Sequence, residues 1–159
     1  ITGRDISEGM MQVAKRKCEK RGITTIKFEK EDCTDLSYSD NTFDAVTSSF
    51  GIRNFQDLDK ALGEMYRVLR DKGHLVILEL SSPSRFPMKQ LFPIYAKYIM
   101  PQLGYMFSND RKAYQYLPDS IAAFPQGEQM KGILEKVRFR NVTFRRFAGG
   151  VCTFYMAEK

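Results

Sequence analysis

The chain has 159 residues, 43% of them hydrophobic and 28% charged, with 12 Phe and 8 Tyr. That composition supports a buried core and excludes a disordered chain. Its cysteines, Cys18, Cys33 and Cys152, are odd in number and widely spaced, which excludes a disulfide framework or paired-cysteine zinc site and fits a reducing cytosol. The net charge of +6 is uneven: residues 1–84 hold 13 basic and 14 acidic groups, whereas residues 85–159 hold 12 and 5. The second half therefore suits an anionic partner such as a lipid surface or nucleic acid. No apolar run approaches the roughly 20 residues that span a bilayer, and the charges throughout residues 1–22 predict no secretory leader.

A short lead ends in Asp5. Ser7 then caps a helix with Met10, Ala14, Cys18 and Arg21 on one stripe, and Gly22 stops it. "ITTIKFEKED" alternates as a half-buried strand does and ends at Asp32. After the polar turn "SYSDNTFD", the β-branched and small residues of "AVTSSF" predict a deeply buried strand. Leu58, Leu62, Met65 and Leu69 mark the apolar face of a helix starting near Asn54. "DKG" breaks it before the strand "HLVILEL". This alternation predicts a parallel, doubly wound α/β sheet.

From Ser81 the pattern changes. "SPSRFPMKQLFPIYAKYIMPQLGYMF" holds four prolines and many aromatics and predicts one or two short helices. "YQYLPDSIAAFP" predicts another helical piece, and "QGEQMKGILEKV" a helix packed on the sheet. "RNVTFRRFAGGVCTFYMAEK" predicts two strands around Ala148-Gly149-Gly150, a hairpin.

An acid ending one strand and a second acid ending the next, in a sheet finished by a hairpin, resembles the class I S-adenosylmethionine-dependent methyltransferases. "DNTFDAVTSSFGIRNF" is similar to that family's fourth-strand stretch, "RVLRDKGHLVILELS" to its fifth-strand motif, and "YQYLPDSIAAFP" to a downstream segment. Together they resemble the ubiquinone/menaquinone biosynthesis C-methyltransferases from Ile1 to Lys159; "RDKG" departs from the family's Lys-Pro-Gly-Gly. The resemblance implies a Rossmann-like sheet, one partial methyltransferase domain over 1–159, and an inserted helical segment on the substrate side at about 82–124. No counterpart of the family's first strand and glycine-rich loop is present: Gly149-Gly150 belongs to the hairpin, and Gly3 only precedes Asp5. The chain is thus expected to start within the family's second strand and to be inactive alone. The absent strand sits centrally in the family's sheet, so two apolar edges should be exposed and should pair with another chain, giving a homo-oligomer.

The resemblance further implies S-adenosyl-L-methionine as cofactor. Asp5 matches the ribose-binding acid, Asp32 and Cys33 the adenine-reading positions, and Ser49 a position near the methionine portion. Plainer readings stand beside these: Asp5 capping the next helix, Asp32 as a solvated turn acid, Ser49 as a small strand residue. Arg53 and Asn54 lie just past the fourth strand, at the edge where open α/β sheets bind ligands. Arg53 stays protonated, so it would stabilise a phenolate or orient a water. Asn54 would hold the other oxygen, or cap the helix. Glu79 is the carboxylate available as base, or else a structural partner for a neighbouring cation; His74 lies at the far end of that strand. No metal is implied, since no cluster has ligand spacing.

The implied substrate is a prenylated quinol, demethylmenaquinol or a ubiquinone precursor. Its tail must be shielded from water at about 0.8 kcal/mol per buried CH₂, a task for the aromatic stretch Phe86–Phe107. A cytoplasmic enzyme with peripheral contact at the inner membrane face follows. Two alternatives remain: a methyltransferase of another small molecule, or a basic nucleic-acid-binding domain. In "KVRFRNVTFRR" the cations alternate with apolar residues like a solvated strand face, which speaks against nucleic acid.

Overall fold

The computed structural model describes residues 1–99 and 111–159, excluding the side chains of Lys97 and residues 111–115. Its first unit is a βαβ. β1 (Thr2–Asp5) and β2 (Lys27–Lys30) run parallel, Thr2 opposite Lys27 and Asp5 opposite Lys30. α1 (Glu8–Lys20) connects them, with Ser7 Oγ accepting the Met10 N–H at 3.4 Å. Gly22, at φ +65°, closes it in the left-handed conformation a side chain would resist. The Ile23 and Gly22 N–H groups donate to the Cys18 and Glu19 carbonyls at 2.9 and 3.1 Å, the paired bonds of a Schellman ending. The buried face differs from the expected stripe: Met11 is buried while Met10 is 61% exposed. Met11, Ala14 and Cys18 form the inward row, an i, i+3, i+7 spacing that the stripe through Met10 misses by one residue. β2 is also shorter than its alternation suggests, because Asp32 Oδ1 accepts the Thr34 N–H at 2.9 Å and turns the chain.

The second sheet has four strands in the order β3-β4-β6-β5: β3 (Phe43–Ser49), β4 (Leu69–Leu80), β5 (Arg140–Phe147) and β6 (Cys152–Glu158). β3 and β4 are parallel, whereas β6 runs antiparallel to β4 and β5. The terminal hairpin therefore inserts its second strand next to β4. Its turn uses Gly149 at φ +68° and Gly150 at φ +99°, and a Cβ on Gly149 would lie 2.8 Å from Met88 Cγ. The expected deep burial of β3 is not observed: Ala45, Thr47 and Ser49 are exposed. Composition reported a strand that can be buried, but β3 pairs only with β4 among the described residues, so its outer side is an edge. β1 likewise pairs only with β2.

α2 (Leu58–Val68) packs on this sheet through Ala61, Leu62, Met65 and Val68. It starts later than the sequence suggests. Asp57, not Asn54, caps it, accepting the Lys60 N–H at 2.9 Å, while Ile52–Asn54 form a separate 3-10 turn. "DKG" does not separate helix from strand, because β4 already pairs at Leu69 and bulges before His74. α3 (Met88–Ile94) continues into a wider π turn, Tyr95–Ile99. After residues 100–110, which lie outside the described residues, come α4 (Arg111–Ala123) and α5 (Glu128–Lys136). Met130 and Leu134 of α5 join Leu62, Leu75, Ile77 and Tyr155 in the core. Tyr155 is 1% exposed, and its hydroxyl accepts the Gly127 N–H at 2.8 Å, so its polar end is satisfied.

Candidate functional site

The first group of site residues lies where β1 and β2 end. Parallel pairing places the two strand exits on the same sheet edge, and the acids follow immediately: Asp5 ends β1, and Asp32 comes two residues after β2. Asp5 Oδ1 accepts the Ser7 N–H at 2.7 Å, so Asp5 orders the turn and Ser7 caps the helix. Asp32 is held below the usual carboxylate range, first by the Thr34 backbone N–H, with help from the Thr34 hydroxyl and the Lys60 ammonium. Cys33 between them is pushed up to about 11 by burial, then by the Asp32 charge, with Asp5 adding to the effect. Its thiol is therefore neutral at physiological pH and its nucleophilicity low. Asp5, Asp32 and Cys33 thus share one electrostatic neighbourhood. A carboxylate at a strand exit offers the acceptor pair that two vicinal hydroxyls need, so these residues fit the adenosine end of the implied cofactor.

The second group surrounds Arg53. β3 leaves the sheet through Phe50, whose φ of +55° is uncommon for a residue with a Cβ and redirects the chain toward the end of β4. Ile52, 1% exposed, anchors the following 3-10 turn. Glu79, near the end of β4, then binds that turn. Its Oε1 accepts from Arg53 Nη1 at 2.6 Å and from the Leu80 N–H at 2.8 Å; its Oε2 accepts the Arg53 N–H at 3.3 Å. Arg53 Nη1 also donates to the Phe50 carbonyl at 2.8 Å. The pair is nearly dry, with side chains 12% and 1% exposed. Arg53 Nε is buried without a hydrogen-bond partner, and Nη2 makes no hydrogen bond or ion pair among the described residues. Asn54 is exposed beside it, its side chain free of the capping task. Ser49, the last residue of β3, faces outward. His74 sits opposite Glu158 of β6, midway along β4 and five residues before Glu79, because the strand begins at Leu69 and not after Gly73 as the sequence suggests.

Arg53 lines a cleft of about 340 Å³ with Phe55 and Leu58; Tyr116, Asp119 and Phe124 form the other wall. Tyr116 and Asp119 belong to α4 and are the residues the sequence reading missed. Their segment reads as helical in the sequence, but no spacing places an exposed carboxylate 66 positions away in the same cleft as Arg53. Asp119 makes no hydrogen bond or ion pair among the described residues. A larger depression of about 540 Å³ between α4 and α5 has Lys136 as its one charged lining residue and none of these groups.

The family model described as "ubiE/COQ5 methyltransferase family" matches residues 1–159. A demethylmenaquinone methyltransferase of Bacteroides fragilis is 58% identical over the whole chain, which spans 65% of that protein. A ubiquinone/menaquinone biosynthesis C-methyltransferase of Idiomarina loihiensis is 36% identical over 98% of the chain and 62% of its own length. Among solved structures, a SAM-dependent methyltransferase of Thermotoga maritima, titled a possible histamine N-methyltransferase, aligns at TM-score 0.68 and 18% identity over 99% of this chain and 72% of that one. Haemonchus contortus phosphoethanolamine N-methyltransferase 2, solved with S-adenosyl-L-methionine, aligns at TM-score 0.69 and 15% identity over 99% and 43%. These structural likenesses show the class I methyltransferase fold.

Proposed function

Because the chain belongs to the ubiE/COQ5 methyltransferase family, we propose that its site serves S-adenosyl-L-methionine-dependent C-methylation of a prenylated quinol, demethylmenaquinol or a ubiquinone precursor. The observation that carries this reading is the buried Arg53–Glu79 pair, which fixes a guanidinium beside a cleft past the sheet edge. Demethylmenaquinone methyltransferase is the name of the 58%-identical relative.

When bound, the cofactor supplies an electrophilic methyl group; the chain's own residues bind, orient and manage a proton. Asp5 would accept from the ribose hydroxyls, Asp32 would accept from the adenine amine, and the Cys33 N–H would meet a ring nitrogen. Ser49, at the outward-facing end of β3, would flank the methionine portion. A ring carbon becomes nucleophilic when a phenol loses its proton. Arg53, always cationic, stabilises the resulting phenolate with Nη2, and its effect is strengthened because the Arg53–Glu79 pair is largely withdrawn from water. Glu79 is fully engaged with Arg53 and the Leu80 N–H, so its role is to position the guanidinium. Asp119, a carboxylate on the opposite wall, is then the proton acceptor, and Asn54 holds the second ring oxygen. The edges of β1 and β3 support association of this chain with another strand or a second copy, and a tailed quinol places the work at the inner membrane face.

The test is methyl transfer to a short-tailed demethylmenaquinol analogue by a chimera carrying these 159 residues behind the preceding residues of the Bacteroides fragilis relative. Arg53→Met should lower kcat by about 10²–10³-fold, the scale of losing one preorganised charge donor, with cofactor affinity nearly unchanged. An Arg53→Met variant with wild-type kcat would overturn the assignment.

A further inference from the structure

The cleft beside Arg53 does not end at Phe124. Ala123 and Pro125 line it and also line the larger depression between α4 and α5, so the two hollows, of about 340 and 540 Å³, meet at one lip. Asp119 and Ala123, one turn apart on α4, lead from the cleft to that lip. Beyond it Gln129, Gly132, Ile133 and Lys136 line the depression, an i, i+3, i+4, i+7 row along one face of α5. Cleft and depression together form one groove.

Polarity changes along this groove. Arg53 and Asp119 make the cleft charged, whereas Ala123, Pro125, Gly132 and Ile133 bring no polar side chain to the stretch past the lip. The Lys136 ammonium lies 3.3 Å from Asp59 Oδ2, which balances its charge. At Gly132 an added Cβ would meet nothing within 4 Å, so the groove is open there. The lip itself is held in place. Gln126 Oε1 accepts the Ser82 N–H at 2.8 Å, Gln126 Nε2 donates to the Ile121 carbonyl at 2.5 Å, and the Gly127 N–H donates to Tyr155. The corner between α4 and α5 is thus shaped before any ligand arrives.

We propose that this groove seats the prenyl tail of the substrate. The ring occupies the cleft at Arg53, and the tail crosses the lip at Ala123 and Pro125 to lie on Gly132 and Ile133. This rests on the quinol reading above and deepens it by giving head group and tail separate places. Continuity selects the occupant: a ring held at the guanidinium carries a long apolar substituent, and the groove passes from charged to apolar in the same order. A wholly polar substrate would leave the stretch past the lip unused.

The experiment is calorimetry on the chimera described above, with unreactive quinone analogues bearing one or three prenyl units. A fully buried CH₂ is worth about fourfold in affinity, and an open groove covers a tail on one side, so the longer tail should bind wild type about tenfold more tightly or better. Gly132→Glu and Ala123→Glu each set a carboxylate in the tail's path and should cut that ratio to about threefold or less. Both positions are exposed, and glutamate suits a helix better than glycine, so an unchanged melting temperature confirms the fold. A wild-type ratio near one, or a ratio that both substitutions leave intact, would overturn the proposal. So would a ratio kept in Gly132→Glu but lost in Leu91→Glu/Ile94→Glu, on the exposed side of α3, since the tail would then lie there. Binding is read without turnover. A tail preference without methyl transfer removes the reaction assignment and keeps the groove, and methyl transfer without a tail preference does the reverse.

Discussion

Replacing Glu79 by Gln keeps the side-chain shape and removes the charge facing Arg53. Glu79 accepts three hydrogen bonds, two of them from Arg53, and both side chains are almost dry. Removing one partner of a buried pair costs about 3–5 kcal/mol because the other charge is left uncompensated. Glutamine retains an acceptor oxygen, so the loss should fall at the lower end, about 3 kcal/mol. Arg53→Met should cost a similar amount, by stranding Glu79. The double variant should cost about 3 kcal/mol as well, giving a coupling of about 3 kcal/mol between the two positions. Urea unfolding of the four proteins, with m held constant, measures each value. A Glu79→Gln loss below about 0.5 kcal/mol without coupling would mean that the pair behaves like a surface pair, and the fixed guanidinium would have no basis.

The Cys33 thiol, pushed up to about 11 first by burial and then by Asp32, should alkylate slowly at pH 8 and quickly only above about pH 10. Asp32→Asn should move that rise to lower pH, and an unchanged profile would contradict the placement. Since the folded value lies above the ordinary 9.0, the stability Cys33 contributes is complete below pH 9 and is lost as pH climbs through about 11. Thermal melts of wild type and Cys33→Ser across that range follow the loss. Asp57→Ala should destabilise by about 1 kcal/mol through loss of the α2 cap, whereas Asn54→Ala should change stability by less than about 0.5 kcal/mol; chemical denaturation separates the two. Gly149→Ala combines a left-handed φ with a contact on Met88 and should cost about 1–3 kcal/mol, read as a fall in melting temperature.

The parts of the fold that were legible rest on local chemistry. Ser7 and Gly22 bracket α1 because capping and left-handed closure are decided within a few residues. The Gly149-Gly150 turn was readable for the same reason. Two errors arose where local signals were ambiguous. Asn54 and Asp57 are both good cap residues, and only the 3-10 turn anchored by Ile52 selects the second. β3 reads as buried because small and β-branched residues permit burial, yet strand neighbours decide it, and they are set by distant pairing. The position of Asp5 and Asp32 at neighbouring strand exits is legible because Asp5 ends β1 and Asp32 lies two residues beyond β2. The Arg53–Glu79 bond joins residues 26 apart, and the cleft wall at Tyr116 and Asp119 depends on how α4 lies against the turn at Ile52–Asn54. Neither follows from periodicity.

The central claim is that the strand-end acids grip an adenosine moiety. Calorimetry with S-adenosylhomocysteine tests it on a chimera carrying these 159 residues behind the preceding residues of the Bacteroides fragilis relative. Asp5→Asn should weaken binding roughly 30-fold or more, the scale of a lost hydrogen-bond pair to a charged acceptor, while Arg53→Met should change it less than about threefold. Undiminished affinity in a folded Asp5→Asn chimera would contradict the account.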